Sequence, residues 1–132
     1  MRGLRTTLYS NFSRGWRIKL SRSDPLAAAE RPRRKPKTAG FFSDLSDLKQ
    51  VAALADQVHA LTPVLDVLWN NAGVMLTEGG TSADGFEYQW AVNHLAGFLL
   101  TSSLLPLVQA APQGRILQTS SFAHHIGKVP AP

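Results

Sequence analysis

The segment VLDVLWN, residues 64–70, constrains the fold of this chain more than any other stretch. It is an almost continuous apolar run that leads into the small and polar sequence Asn-Asn-Ala-Gly, residues 70–73. A run of this length is typical of a strand that is buried on both faces of a parallel sheet. We therefore expect an α/β fold built on such a sheet.

Helical and strand-like patterns alternate around this segment. TAGFFSD, residues 38–44, predicts a short strand. Residues 46–61 predict an amphipathic helix with Ser46 as its N-cap and Asp47 favourably placed in its first turn. Its apolar residues share one stripe, which indicates packing on a flat surface: Leu48, Val51, Ala55 and Val58.

A second helix is predicted over roughly residues 86–110, and Thr81 and Asp84 form a weak capping-box signal ahead of it. Most of this helix is apolar all round, which is typical of a helix packed between a sheet and a partner. Pro106 should kink or end it. Gly114 then marks a turn into the last predicted strand, Arg115–Thr119.

The excess of positive charge lies in the first third of the chain. The net charge is +5, and eleven of the fourteen Lys and Arg residues lie before residue 41. We therefore divide the chain into a basic, poorly ordered segment, residues 1–37, and a domain, residues 38–132. Within the basic segment, the alternation of WRIKLS, residues 16–21, indicates a remnant strand.

Two other parts of the basic segment have weaker signals. DPLAAAE, residues 24–30, resembles the remainder of a helix. RPRRKPK, residues 31–37, is a proline-broken loop without interleaved aromatics, so it does not indicate a nucleic-acid site.

Composition excludes several classes of site. The chain has no cysteine, which rules out disulfides, thiolate metal sites and cysteine nucleophiles. It also fits a reducing compartment, so we expect a cytoplasmic protein, with mitochondria as the alternative because the acid-free, Arg- and Ser-rich start is typical of transit peptides. No run reaches about 18 apolar residues, so no membrane span is predicted. His94, His124 and His125 do not form a metal-binding set.

The alternation of strands and helices indicates a parallel sheet with helices on both faces. Ligands bind such sheets at the carboxyl ends of the strands. Those ends are predicted at Ser43–Asp44, Asn70–Gly73 and Ser120–Ser121, and all three are small or polar. We expect them to form one ligand-facing rim.

Three stretches, LDVLWNNAGVM, TSADGFEYQWAVNHLAGFLLTSSLLPLV and GRILQTSSFAHHIGKVP, resemble the short-chain dehydrogenase/reductase family, and most of all its retinol-dehydrogenase-like branch. The resemblance is firm from about Phe42 to Pro130 and faint from Gly15 to Gly40. It implies a partial Rossmann-like, doubly wound parallel sheet that lacks the first strand and the last strands. It also implies hydride transfer between NADP or NAD and small-molecule alcohols or carbonyls.

The resemblance assigns cofactor roles to several positions. Asp44 would accept a hydrogen bond from the adenine amino group. Asn71, Ala72 and Gly73 would line the adenosine side, where glycine permits close approach. Arg22 lies where related reductases place an arginine against the 2′-phosphate of NADP.

It also assigns two catalytic positions. Asn93 would hold a water in the proton relay, and Ser121 would hydrogen-bond the substrate oxygen. Every position keeps a structural alternative. In these alternatives, Asp44 supports the turn before a helix and Asn71 forms a turn with Asn70. Asn93 satisfies a kinked backbone, and Ser121 bonds the backbone at the end of its strand.

Two parts of the family's machinery are absent from these 132 residues. No glycine-rich phosphate turn is present. The tyrosines, Tyr9 and Tyr88, are followed four positions later by Ser13 and Val92 instead of the lysine that would lower a phenol pKa. We therefore expect weak or lost cofactor binding and no catalysis by this chain alone.

The missing first strand should leave residues 64–70 without a neighbour and expose an edge. The alternative is that TTLYSNF, residues 6–12, fills the gap. A different functional class also stays open, namely a non-catalytic protein that docks on a full-length relative, or forms an oligomer, through the 86–110 helix.

Overall fold

The computed structural model describes residues 4–11, 15–22, 37–75 and 79–127, with the backbone alone before Gly40. Five strands are present: β1 Leu4–Asn11, β2 Gly15–Arg22, β3 Lys37–Gly40, β4 Val67–Asn70 and β5 Arg115–Gln118. Two helices follow the same chain order, α1 Leu48–Leu61 before β4 and α2 Tyr88–Gln109 before β5. A short 3₁₀ turn, Phe122–His125, comes after β5. The predicted helix over residues 24–30 and most of the loop over residues 31–37 lie outside the described residues.

The strands form one sheet in the order β3-β2-β1-β4-β5. β1 runs parallel to β4, and β4 runs parallel to β5. β2 is antiparallel to both of its neighbours, so β3 points the same way as β1, β4 and β5. The predicted α/β class with a partial Rossmann-like sheet is confirmed, but the sheet is mixed and not wholly parallel.

The reversal of β2 follows from the length of its connection to β1. Only residues 12–14 separate the two strands, and Asn11 pairs directly with Gly15. A parallel neighbour needs a crossover of a dozen or more residues, whereas a connection this short permits only a hairpin. The strand predicted at residues 16–21 is found within β2.

The expected exposed edge beside β4 is wrong. β1 occupies that position, with Leu8 paired to Leu68 and Tyr9 paired to Trp69. β1 therefore fills the gap of the missing first strand, as the alternative for residues 6–12 predicted. The expected edge at β5 is found, since β5 pairs only with β4 among the described strands.

Both helices pack on the same face of the sheet, and they also pack on each other. The core is made by fully or almost fully buried side chains of α1, β4, α2 and the loop before β4, which include Val51, Leu54, Val58, Leu65, Leu68, Leu100 and Leu104. The prediction that β4 is buried on both faces is wrong, because Trp69 is 41% exposed while Leu68 is fully buried. No helix among the described residues covers the second face.

The predicted amphipathic helix is confirmed as α1, but its cap is Asp47 and not Ser46. The Asp47 carboxylate accepts hydrogen bonds from the backbone N–H groups of Lys49 and Gln50. The Ser46 hydroxyl instead donates to Asp44 Oδ1 at 2.7 Å.

The predicted capping box at Thr81 and Asp84 is also wrong. Glu87 caps α2 by accepting from the N–H groups of Gln89 and Trp90. Asp84 instead reaches across to the start of the other helix and accepts from Leu48 N–H at 2.8 Å. The loop before α2 is thereby tied to the N-terminus of α1.

These caps predict acid sensitivity. The side-chain amide of Gln50 and the N–H groups of Gln50 and Lys49 lower the pKa of Asp47, and the N–H groups of Gln89 and Trp90 lower that of Glu87. A lowered folded-state pKa contributes stability that is present above the unfolded-state pKa and is lost as the pH falls through the folded-state value.

We therefore expect helical circular dichroism to decline below about pH 4, and to decline less steeply in Asp47→Asn, which keeps an acceptor without a titrating charge. Asp56→Asn, on an exposed turn of α1, is the control. An identical pH profile for Asp47→Asn and the native chain would contradict the prediction.

The long helix α2 matches the predicted 86–110 segment to within two residues at its start and one at its end. Pro106 lies in its last turn, and the helix ends three residues later at Gln109. By length and composition alone this helix could cross a membrane, but buried core helices meet the same criterion, and 39% of its most apolar window is buried here.

Candidate functional site

The predicted rim is assembled at one edge of the sheet. β1, β3, β4 and β5 point the same way, so their carboxyl ends share that edge. The segments that follow these ends bring most of the predicted site residues to it: Asp44 after β3, Asn71, Ala72 and Gly73 after β4, and Ser121 after β5. The predicted strand over residues 38–44 is shorter than expected, since β3 ends at Gly40.

Asp44 is exposed and supports the turn before α1. Its Oδ1 accepts from the backbone N–H of Ser46 at 2.9 Å and from the Ser46 hydroxyl at 2.7 Å. Its own N–H donates to Gln50 Oε1 at 3.1 Å. Asp44 therefore supports the turn, and the turn fixes the Asp44 carboxylate at the rim. The Oδ2 atom of this carboxylate accepts no hydrogen bond from the described residues.

A short hydrogen-bonded chain joins the ends of β4 and β5. Trp69 Nε1 donates to Thr119 Oγ1 at 2.9 Å, and Thr119 Oγ1 donates to Asn71 Oδ1 at 2.8 Å. The Thr119 backbone N–H also donates to Asn70 O at 3.0 Å. Asn71 is thus held in place from the neighbouring strand, as a rim residue that orients a ligand would need to be.

Asn93 reaches the rim from the side, out of α2. Its Nδ2 donates to Val74 O at 2.9 Å, and its Oδ1 accepts from Val74 N at 2.7 Å. The side chain therefore binds the backbone of the segment after β4 through both of its polar atoms. Gly73 lies against this side chain, since a Cβ at Gly73 would be in van der Waals contact with Asn93 Oδ1 at 3.4 Å.

The backbone around Asn93 is irregular, and the sequence did not indicate the form of this irregularity. α2 is π-helical from Ala91 to Leu95, with the Ala96 N–H bonded to Ala91 O. A π-helical turn inside an α-helix occurs often at functional sites. The segment AVNHL contains neither Gly nor Pro, so no residue type marks the irregularity in advance.

Replacing Asn93 by alanine should release the segment after β4. The Val74 N–H loses its acceptor, and the worth of one hydrogen bond, about 0.5–1.5 kcal/mol, corresponds to roughly 2- to 10-fold faster hydrogen exchange at that amide. Gln57→Ala, an exposed amide on α1, is the matched control. Unchanged exchange at Val74 in Asn93→Ala would show that the contact does not hold the segment.

Ser121 lies at the rim as an N-cap. Its Oγ accepts from Ala123 N–H at 3.2 Å, and its carbonyl oxygen lies 2.6 Å from His124 Nδ1. Ser121 therefore makes the backbone hydrogen bond that its structural alternative describes. Because the residue is exposed, its hydroxyl can still donate to a ligand oxygen from this position.

Arg22 is the predicted site residue that the structure does not bring to this edge. Because β2 is reversed, Arg22 pairs with Leu4 at the opposite end of the sheet. The position beside the rim belongs to the start of β2, where Arg17 pairs with Gly40. The direction of β2 depends on the connection before it, which the resemblance around residue 22 did not cover.

Asn70 has a role that sequence reasoning missed. Its side chain is buried at the end of β4, and its Nδ2 donates to Thr101 Oγ1 at 2.8 Å. Gly97 lies beside it, since a Cβ there would be in van der Waals contact with Asn70 Cγ at 3.6 Å. The spacing of Gly97 and Thr101, four residues apart on one helix face, was the available signal. Asn70 thus fastens α2 to the sheet beside the rim.

The rim fits one part of a dinucleotide cofactor and not another. The exposed Asp44 carboxylate suits an amino donor such as that of adenine. The pyrophosphate needs a helix N-terminus after the first strand, but only three residues separate β1 from the antiparallel strand β2. No tyrosine here is followed by a lysine four residues later. The residues present therefore fit the adenosine end only, and no hydride-transfer step follows from this geometry.

Comparison with known proteins identifies a consistent set of relatives. The family model described as short chain dehydrogenase matches residues 10–131. Human retinol dehydrogenase 12 is 47% identical over 87 residues, which cover 66% of this chain and 28% of that protein. Human retinol dehydrogenase 11 is 46% identical over 86 residues, 65% of this chain and 27% of that protein. The match thus spans little more than a quarter of these relatives.

Solved structures show the same fold. A metagenomic short-chain oxidoreductase in complex with NADP has a TM-score of 0.55 and 35% identity, over 70% of this chain and 42% of that chain. The oxidoreductase yciK from E. coli has a TM-score of 0.52 and 25% identity, over 72% of this chain and 40% of that chain.

Proposed function

Because the chain belongs to the short-chain dehydrogenase family, we propose that it forms the adenosine-side part of an NAD(P)-binding oxidoreductase domain whose full-length relatives act on alcohols and carbonyls such as retinoids. We also propose that these 132 residues do not transfer hydride alone. Both statements depend on one observation. Asp44 and Asn71–Gly73 lie at the rim, while β1 is followed by the antiparallel strand β2 where the family has its phosphate-binding turn.

The chemistry of the rim supports binding through the adenine ring. Asp44 presents a carboxylate that is fixed by Ser46 and is open to solvent. Asn71 is oriented by Thr119 and Asn93 holds the adjoining backbone, so the segment after β4 needs little reordering on binding. Preorganisation of this kind reduces the entropic cost of association. By family resemblance the cofactor is NADP or NAD.

Two titrations test the binding proposal. We expect adenosine and NADPH to shift the backbone amide resonances of Ser46 and Asn71 with similar, weak affinities, because the phosphates gain no cradle. Asp44→Asn should reduce the affinity for both, since an uncharged amide oxygen is a weaker acceptor for an amino group than a carboxylate. Asp56→Asn is the matched control. Affinity for NADPH far above that for adenosine would contradict the proposed misfit at the pyrophosphate.

Turnover tests the second statement. The purified chain, incubated with NADPH and all-trans-retinal or a panel of apolar aldehydes, should oxidise no cofactor above the rate without protein. Steady turnover that co-elutes with the monomer would refute the proposal, because no described group here can serve as the tuned proton donor.

A second candidate function rests on an exposed aromatic row along α2. The Trp90 and His94 rings stack at 4.2 Å, the His94 and Phe98 rings lie 6.3 Å apart, and Phe98 is 65% exposed. Aromatic residues at exposed positions are enriched at protein interfaces. This row supports the alternative in which the chain docks on a full-length relative through residues 86–110.

Co-purification with a full-length retinol dehydrogenase tests the docking alternative. Phe98→Gln should abolish the complex, and Phe122→Gln, at a phenylalanine elsewhere that is also exposed, should leave it intact. A mixture that elutes as two separate species would dismiss the alternative.

A further inference from the structure

Three side chains at the ends of β4 and β5 form one hydrogen-bonded chain at the rim. The two strands pair in register up to Asn70 and Gln118, and continuing this register by one residue places Thr119 beside Asn71. Side chains two residues apart on a strand share a face, so Trp69, Asn71 and Thr119 lie on the same face. The indole of Trp69 therefore reaches Thr119, and Thr119 reaches Asn71.

The indole sets the direction of donation along this chain. An indole N–H can donate a hydrogen bond but cannot accept one. The bond from Trp69 therefore uses an acceptor site of Thr119 Oγ1, and the single proton of that hydroxyl is left for Asn71 Oδ1 at 2.8 Å. A hydroxyl that accepts one hydrogen bond is a better donor in the next. With the amide reversed, Thr119 would accept twice and its proton would have no partner among these three side chains.

The orientation of the amide decides what Asn71 offers a ligand. An asparagine side chain has an acceptor oxygen on one side and a nitrogen with two hydrogens on the other. Because Thr119 binds the oxygen, the nitrogen points away from Thr119. Without such a contact the terminal torsion of asparagine has two broad orientations and presents either group. Fixing one of them before a ligand arrives reduces the entropic cost of binding.

We propose that Trp69 and Thr119 are positioning residues that hold Asn71 as a hydrogen-bond donor to the ribose of bound adenosine. This inference rests on the adenosine-side function proposed above and adds the residues that select the sugar. A neutral N–H donor suits an uncharged sugar oxygen, and the carboxylate of Asp44 at the same rim disfavours an anionic group there. Asp44 after β3 then recognises the adenine ring, and Asn71 after β4 recognises the ribose.

Titrations of the full chain with adenosine and with adenine, followed by backbone amide resonances, test the role of Thr119. We expect the native chain to bind adenosine more tightly than adenine. Thr119→Val keeps the shape but removes the hydroxyl, so it should weaken adenosine binding about 2- to 10-fold, the worth of one hydrogen bond, and leave adenine binding unchanged. Thr119→Ser keeps a hydroxyl and should bind adenosine as the native chain does. Ser102→Ala, which removes an exposed hydroxyl from α2, is the control.

A double-mutant cycle tests whether Trp69 acts through Thr119. Trp69→Phe removes the first donor of the chain and should weaken adenosine binding less than Thr119→Val does. The double variant should bind adenosine no more weakly than Thr119→Val alone, because residues of one hydrogen-bonded network are not additive. Hydrogen exchange gives a second measurement. The Trp69 Nε1–H, identified by its absence in Trp69→Phe, should exchange faster in Thr119→Val and at close to the native rate in Thr119→Ser.

The two ligands separate failure of this inference from failure of the proposed function. Native-like adenosine affinity in Thr119→Val overturns the inference and leaves adenine recognition by Asp44 intact. Loss of adenine binding in Thr119→Val also overturns it, because the hydroxyl would then support the fold and not select the sugar. Additive losses in the double variant overturn the role of Trp69. A native chain that binds neither compound refutes the proposed function, and this inference with it. Circular dichroism of each variant shows whether it has folded.

Discussion

We expect Leu104→Ala to lower the free energy of unfolding by about 2–5 kcal/mol, the range for deleting a buried leucine side chain and leaving a cavity. Leu104 is fully buried in the single core that α1, β4 and α2 share. A domain of this size has a small margin of stability, so the variant should unfold at much lower urea concentration than the native chain. Urea denaturation followed by circular dichroism measures the difference.

The next residue supplies the control for this prediction. Leu105 is 38% exposed on the same helix, so Leu105→Ala removes the same atoms without opening a closed cavity. Its cost should be a minor fraction of that for Leu104→Ala. Equal costs at the two positions would mean that α2 does not pack as described. Asn93 and Asn70 would then also lose the scaffold that holds them at the rim.

Gly114→Ala should disrupt the last strand. A Cβ at this position would lie 2.0 Å from the Val108 carbonyl oxygen and 2.9 Å from the Val108 carbonyl carbon. Because these atoms belong to the backbone, the end of α2 or the start of β5 must move. Overpacking of this kind costs about 1–3 kcal/mol and sometimes more.

The displacement should reach the candidate site. Arg115 N–H donates to Asp66 O, and Thr119 N–H donates to Asn70 O, so a shift at residue 114 loosens the pairing of β5 from its start. Faster hydrogen exchange at the amides of Leu117 and Thr119 would register this. Gly79→Ala is the control, because a Cβ there has no atom within 4 Å. Native-like exchange in Gly114→Ala would show that the turn adapts without cost.

The elements with the clearest hydrophobic period were predictable from sequence. The stripe of Val51, Ala55 and Val58 identified α1 because apolar residues that recur with a 3.6-residue period are typical of an amphipathic helix. The N-cap was misplaced by one residue, since Ser46 and Asp47 are both good caps, and in the structure Asp47 caps the helix while the Ser46 hydroxyl donates to Asp44. Local patterns do not determine which of two competing partners a side chain takes.

The site residues that follow the parallel strands were predictable from the order of the strands and helices. The site residue on the reversed strand was not. Asp44, Asn71 and Ser121 follow strands that share one direction, so they meet at one edge. Arg22 ends a strand that is reversed, and this reversal depends on a connection of three residues and not on any property of Arg22. The bonds of Asn93 to Val74 join residues far apart in sequence, and no periodicity reports them.

The reversed strand also bears on the order in which the chain folds. The hairpin of β1 and β2 joins residues that are near neighbours in sequence, and such hairpins form in about 1–10 μs. The parallel pairs of β4 with β1 and with β5 must wait for long segments to close, which is slower. β1 belongs to both groups, so we expect its pairing with β4 to be the later step, which joins the β1–β2 hairpin to the part of the sheet that α1 and α2 cover.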